Sequence, residues 1–170
     1  LSHEGAMDVG VEFNSLSKTY GMAGARVGFC VGNAAVVGNL RTLKSNLDFG
    51  IFLPIQKAAI AAISGDQRCV AEVREAYTRR RDFLVDELGK IGWRIQKPAG
   101  TMFVWAKIPP AWHSSEDFCI ALMERAGVSV TPGSAFGALG EGYVRFALVR
   151  TEEEMRRAID RIAASGVLEG

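Results

Sequence analysis

Residues 15–28 read Ser-Leu-Ser-Lys-Thr-Tyr-Gly-Met-Ala-Gly-Ala-Arg-Val-Gly, and no other stretch restricts fold and chemistry as strongly. Ser15 and Ser17 stand just before Lys18, and Gly21-Met22-Ala23-Gly24 reads as a tight turn. Arg26 heads a run to Val31 in which Val27, Phe29 and Val31 alternate as in a strand, and Val9 to Phe13 reads as another short strand leading into the lysine loop. The pattern therefore predicts a lysine at the end of a two-stranded element, with hydroxyls, glycine backbone and a guanidinium close by. Hydroxyls, backbone N–H groups and an arginine together hold a phosphate dianion. A lysine amine forms an imine with a carbonyl.

A phosphate site beside an imine-forming lysine is what pyridoxal 5'-phosphate (PLP) requires. The rest of the composition narrows the setting. A chain of 170 residues with a net charge of +1 gives no general reason to expect nucleic-acid or membrane partners. The most apolar stretch, Gly50 to Ile63, is interrupted by Pro54, Gln56 and Lys57, so no membrane span is expected. His3, Glu4 and Asp8 break any apolar leader, so no secretory signal is expected. Cys30, Cys69 and Cys119 are scattered and odd in number, which favours a reducing, cytoplasmic setting over a disulfide framework. His3 and His113 have no Cys or His at ligand spacing, so no metal site is expected.

Further along, Asn33 to Ser45 has helical spacing, with Val36, Val37, Leu40 and Leu43 on one side. Pro54 suits the first turn of a helix that continues to Ile63. Gln67 to Ile91 carries the longest helical pattern, closed by Gly92. The Arg79-Arg80-Arg81 run is read as the solvated face of that helix. From Trp93 short strands alternate with helices: strands over Trp93 to Gln96, Thr101 to Ile108, Val128 to Thr131 and Tyr143 to Val149, and helices over Ser115 to Ala126 and Thr151 to Ser165. Ser115, Glu116 and Asp117 make a helix start, and Thr151 with Glu154 has the spacing of a capping box. The expected organisation is 1–66 as part of a larger domain, 67–92 as a long connecting helix and 93–170 as a small α+β domain.

The lysine segment resembles, position by position, the cofactor-attachment signature of class I/II aminotransferases, the fold type I PLP enzymes. Four further elements resemble the family in the right order. These are Asn46-Leu47-Asp48-Phe49-Gly50 with Phe52-Leu53-Pro54-Ile55-Gln56; Pro98-Ala99-Gly100-Thr101-Met102-Phe103-Val104-Trp105; Val130-Thr131-Pro132-Gly133-Ser134-Ala135-Phe136-Gly137; and Tyr143-Val144-Arg145-Phe146-Ala147. The loop over Asn46 to Phe52 is similar in style to that of LL-diaminopimelate and related aspartate aminotransferases. The resemblance covers nearly the whole chain, from about Val9.

The resemblance implies an α/β fold: the end of the PLP-transferase large domain followed by the small α+β C-terminal domain. It implies PLP as cofactor, held as a Schiff base on Lys18, which also shuttles a proton once substrate displaces it. It implies that Ser15, Ser17 and Arg26 bind the phosphate and that Arg145 clamps the substrate α-carboxylate. Asn46 and Phe49 would line a neighbouring subunit's active site in a homodimer, or serve as a helix N-cap and a core aromatic. Gly100 to Phe103 would border the substrate or form a buried strand edge, and Gly133 to Gly137 reads as a plain connection. Val144 and Phe146 flank Arg145, so alternation aims it away from them, toward substrate or toward solvent.

The implied reaction moves an amino group from an α-amino acid to a 2-oxo acid, as in amino acid biosynthesis. A PLP-dependent C–S lyase of the same fold, and a catalytically incomplete dimerisation module, are the alternatives. A transcription factor with such a domain would need a helix-turn-helix, and none is visible. In the family the lysine lies past the middle of a longer chain. Its position here at 18 implies a C-terminal half, without the phosphate-capping loop, the ring-stacking aromatic, the Asn/Tyr pair or the aspartate for the ring nitrogen. Apolar surface left bare is then expected to make the isolated chain self-associate.

Overall fold

The computed structural model describes residues 1–170 and divides into two compact units, Leu1–Val73 and Arg74–Gly170. The long helix α5 (Arg68–Lys90) begins in the first and ends in the second.

In the first unit a one-turn helix α1 (Ala6–Val9) precedes strand β1 (Val11–Ser15), the short helix α2 (Leu16–Thr19), a 3-10 turn at Ala23–Ala25 and strand β2 (Gly28–Gly32). β1 and β2 pair antiparallel from Val11 opposite Gly32 to Ser15 opposite Gly28. The lysine segment is thus the connection of a β-ribbon, and the lysine itself lies on a turn of helix rather than in an open loop. Gly28 is required by close approach: a Cβ there would stand 2.5 Å from the Asn14 carbonyl oxygen.

Helix α3 (Ala34–Leu47) starts where Asn33 caps it, its side chain accepting from Val36 N–H at 3.0 Å. It ends at Asp48, which pairs with Lys44 one turn back. The expected apolar row on α3 exists, but the helix buries none of its residues. Helix α4 (Leu53–Ser64) carries Pro54 in its first turn, as expected. The buried core of this unit is only Leu16, Val27 and Ala59, with Tyr20, Met22, Ile51 and Ile55 against it.

The second unit adds β3 (Phe103–Lys107), α6 (Ser115–Ala126), β4 (Thr131–Pro132), β5 (Tyr143–Ala147) and α7 (Glu152–Ala164) to the end of α5. The sheet has the order β3-β5-β4 and is antiparallel throughout. Val104, Ala106, Val144 and Phe146 point to one side and pack with Leu84 and Leu88 of α5, Phe118 and Leu122 of α6, and Met155, Ile159 and Ile162 of α7. This is the larger core, centred on Phe118, which meets Trp93 edge-on at 5.3 Å.

Three local expectations change. Residues 93–96 form no strand, because Trp93 is drawn into the core: its backbone N–H donates to Leu88 and its indole N–H to the Lys107 carbonyl at 2.8 Å. The strand expected at Val128 to Thr131 shrinks to Thr131–Pro132. Val128 N–H is taken by the Leu122 carbonyl as α6 ends, and Pro132 has no N–H for the ladder. The cap of α6 is Ser114, which accepts from Asp117 N–H, while Ser115 turns inward and is fully buried. The capping box of α7 forms as expected between Thr151 and Glu154.

The arginine run is also not uniformly solvated. Arg79 is exposed and pairs with Glu75. Arg80 donates to the Leu148 carbonyl, and Arg81 donates to the Pro98 carbonyl while pairing with Asp82. These two partly buried side chains tie the helix to the segments around the sheet.

Candidate active site

The lysine cluster lies at the open end of the β1–β2 ribbon. Leu16 N–H donates to the Val27 carbonyl at 3.2 Å, extending the ladder past Ser15 and Gly28. That pairing draws the start of α2 up to Arg26, which lies ten residues from Leu16 in the chain. Ser15 caps α2: its Oγ accepts from Ser17 N–H at 3.1 Å and hydrogen-bonds Ser17 Oγ at 2.8 Å. Leu16 beneath is 3% exposed and anchors the turn in the small core, so Ser15 and Lys18 face outward. Arg26 adopts a left-handed backbone, with φ of 52°, and gives one guanidinium N–H to the Ala23 carbonyl at 3.1 Å. Four of its five donors stay free. None of the ion pairs involves Lys18 or Arg26.

Two hydroxyls, a guanidinium and an amine, with no carboxylate paired to either cation, make a donor set that suits a phosphate-bearing carbonyl compound. Hydroxyls and guanidinium match the anion. The amine matches the carbonyl carbon. The residues present fit such a ligand.

Arg145 lies in the second unit, on the central strand β5, with Trp105 opposite on β3 and Thr131 opposite on β4. Val144 and Phe146 are buried, so Arg145 takes the other face of the sheet as alternation requires. It does not run out into solvent. Its guanidinium carbon stands 4.2 Å from the centre of the Phe103 ring and 4.6 Å from that of Phe136. Its Nε is buried and makes no hydrogen bond. Trp105 stacks on Tyr143 at 5.7 Å and meets Phe136 edge-on at 5.6 Å, so one of the two rings against the arginine is itself packed on a further aromatic pair.

The remaining candidates divide. Asn46 sits in the last turn of α3, so it is no N-cap, and its amide donates back to Thr42 and Ser45. Phe49 is 91% exposed with a left-handed backbone, which rules out the core-aromatic reading. Gly100 to Met102 form a bend, and the strand begins at Phe103, so this is no buried strand edge. Gly133 to Gly137 is more than a connection. Gly133 packs so closely on Gly140 that a Cβ would lie 1.9 Å from its carbonyl oxygen. The 3-10 turn Gly133–Phe136 delivers Phe136 to Arg145. Sequence reading missed Phe136; the available signal was an aromatic at the end of a glycine-bounded loop.

Glu141 pins that loop. Its carboxylate accepts from Gly142 N–H at 2.7 Å and from Ser115 N–H at 2.6 Å. These backbone donors hold its pKa below the ordinary glutamate value.

Residues 3–162 match the family described as aminotransferase class I and II. The chain belongs to this family. It is 49% identical over 162 residues to an LL-diaminopimelate aminotransferase of Syntrophobacter fumaroxidans, covering 95% of this chain and 42% of that protein. It is likewise 49% identical to the glutamate-pyruvate aminotransferase AlaC of Escherichia coli, covering 94% of this chain and 39% of that protein. Among solved structures, an aminotransferase from Staphylococcus aureus superposes with a TM-score of 0.90 at 32% identity, covering 98% of this chain and 44% of that one. The chain therefore spans about two fifths of the length of the curated relatives it matches. The α/β architecture expected from the sequence agrees with this membership. No helix is long and apolar enough to cross a membrane.

Proposed function

We propose that these residues are the cofactor-lysine and small-domain portion of a PLP-dependent aminotransferase, active on an α-amino acid and a 2-oxo acid. The observation that carries the reading is the cluster at the ribbon end, where Ser15, Ser17 and Arg26 stand beside Lys18 with no carboxylate paired to either cation. Ser15 and Ser17 donate hydroxyls to the cofactor phosphate, and Arg26 supplies in-plane N–H donors to the same group. When bound, PLP supplies an electron sink for the pair of electrons left at the substrate α-carbon. Lys18 Nζ provides the amine that retains the cofactor and, once freed, accepts and returns the proton at that carbon. Arg145 orients the amino acid by its α-carboxylate. LL-diaminopimelate, and glutamate with pyruvate, which the relatives are named for, are the substrates to try first. A homodimeric, cytoplasmic enzyme of amino acid biosynthesis is the setting this reading carries, with Asn46 and Phe49 facing a second subunit.

Reductive trapping tests it. The protein is incubated with PLP, treated with borohydride, digested and mapped by mass spectrometry. Label on Lys18 in preference to Lys44, Lys57, Lys90, Lys97 and Lys107 is the expected result, lost in Lys18→Ala and weakened in Arg26→Ala. Label spread evenly over the lysines overturns the assignment of the cluster.

A further inference from the structure

The surroundings of Arg145 are more elaborate than an ion-pairing arginine needs. The side chain rises from the central strand of a three-stranded sheet. Phe103 reaches it from β3 on one side. Phe136 reaches it from the turn that follows β4 on the other. The ring distances of 4.2 and 4.6 Å are those of a guanidinium lying against aromatic faces. The buried Nε–H has no acceptor, so no hydrogen bond at that atom holds the side chain in place. The two rings are the contacts available to do it.

We propose that Phe103 and Phe136 are positioning residues that fix the plane of the Arg145 guanidinium and thereby make its site selective for a planar carboxylate over a tetrahedral oxyanion. This rests on the reading of Arg145 as the carboxylate clamp. In this arrangement the two rings cover the faces of the guanidinium, and with Nε buried a ligand is left the Nη edge. A carboxylate pairs there with both oxygens and its substituent carbon in the guanidinium plane. A sulfonate that places two oxygens in that plane must put its third oxygen above or below it, toward the rim of a ring. Trp105, stacked on Tyr143, meets Phe136 edge-on and backs that ring. The support is rigid where it needs to be. Phe103 begins a paired strand. Phe136 is set by the Gly133–Gly140 approach and by the bond network of Glu141 with the fully buried Ser115. Phe136 is itself 51% exposed, so its replacement leaves the core intact.

The test follows the Arg145 Nε–Hε resonance in the full chain, identified by its loss in Arg145→Lys. In the parent protein ring currents should displace this resonance from those of exposed arginines such as Arg157. Propionate and ethanesulfonate, matched in charge, are then titrated. The ratio of the propionate slope to the ethanesulfonate slope should exceed the same ratio at exposed arginines by about fivefold, the scale of one additional net hydrogen bond. Phe103→Leu and Phe136→Leu should each return the resonance toward the ordinary position and collapse the selectivity. Phe136→Trp should retain both. A ratio equal to that of exposed arginines, or selectivity that survives both leucine variants, overturns the proposal. The outcome is independent of the cofactor: failure of Lys18 trapping with retained selectivity sinks the enzymatic reading alone, and the converse sinks only the role of the rings.

Discussion

The two units use the same kinds of residue to different ends. Arg74–Gly170 closes around eighteen buried apolar residues, most of them on three helices and a sheet. Leu1–Val73 buries three, Leu16, Val27 and Ala59, while Phe13, Leu43, Leu47, Phe49, Phe52 and Ile60 stay more than half exposed. The difference lies in layers rather than composition. A two-stranded ribbon with helices that bury almost nothing cannot cover its own apolar faces, whereas a three-stranded sheet backed by α5, α6 and α7 can. The second unit is therefore self-sufficient in its core. The first keeps its lysine cluster in order by hydrogen bonds, caps and one buried leucine.

The sharpest way to break this comparison is to remove the centre of the larger core. Phe118→Ala should cost about 3–5 kcal/mol, read as a fall in the denaturant midpoint of the second unit. The matching change at Phe13, which is 74% exposed, should stay within about 0.5 kcal/mol. Equal effects would mean that the cores are not as unequal as described. Gly28→Ala comes next: the 2.5 Å approach to the Asn14 carbonyl cannot accommodate a methyl group, so the ribbon must open. Hydrogen exchange should report loss of protection across β1 and β2 with the second unit unchanged.

Smaller effects refine the second unit. Thr151→Ala removes the capping box of α7 and should cost about 1 kcal/mol, measured by thermal or urea unfolding. The carboxylate of Glu87, hydrogen-bonded by Arg156 and Lys90, has its pKa lowered to about 2. A folded pKa below the unfolded one stabilises the fold above the unfolded value. That contribution is lost as pH falls from the ordinary glutamate range toward 2, and Glu87→Gln should flatten that part of the stability profile. The smallest change is in reactivity. Burial, with Glu116 and Glu141 nearby, pushes the Cys119 thiol up to about 11. A thiol reagent should therefore modify exposed Cys69 well before Cys119.

Much of this was legible in the chain because local rules decide it. Ser115 to Ala126 as a helix, Pro54 in a first turn and the Thr151–Glu154 box are set by short-range hydrogen bonding and backbone preference. The lysine cluster was legible for a related reason, since Ser15, Ser17, Lys18 and Arg26 lie within twelve residues. What escaped were long-range competitions. Residues 93–96 gave up strand pairing so that Trp93 could be buried. Arg80 and Arg81 found carbonyls on distant segments that no spacing along a helix reveals. Phe136 looked like part of a connection because its partner lies across the sheet.

By itself, then, the sequence determined the helices with clear caps, the strand alternation around Arg145 and a compact set of two hydroxyls, an amine and a guanidinium, all consequences of neighbours within a few residues. Only the tertiary structure decided that Arg145 sits between two rings with a buried Nε, and that one unit seals its core while the other leaves α3 bare. Those outcomes depend on which surfaces meet after the chain has turned back on itself, and burial is a property of the meeting rather than of either side alone.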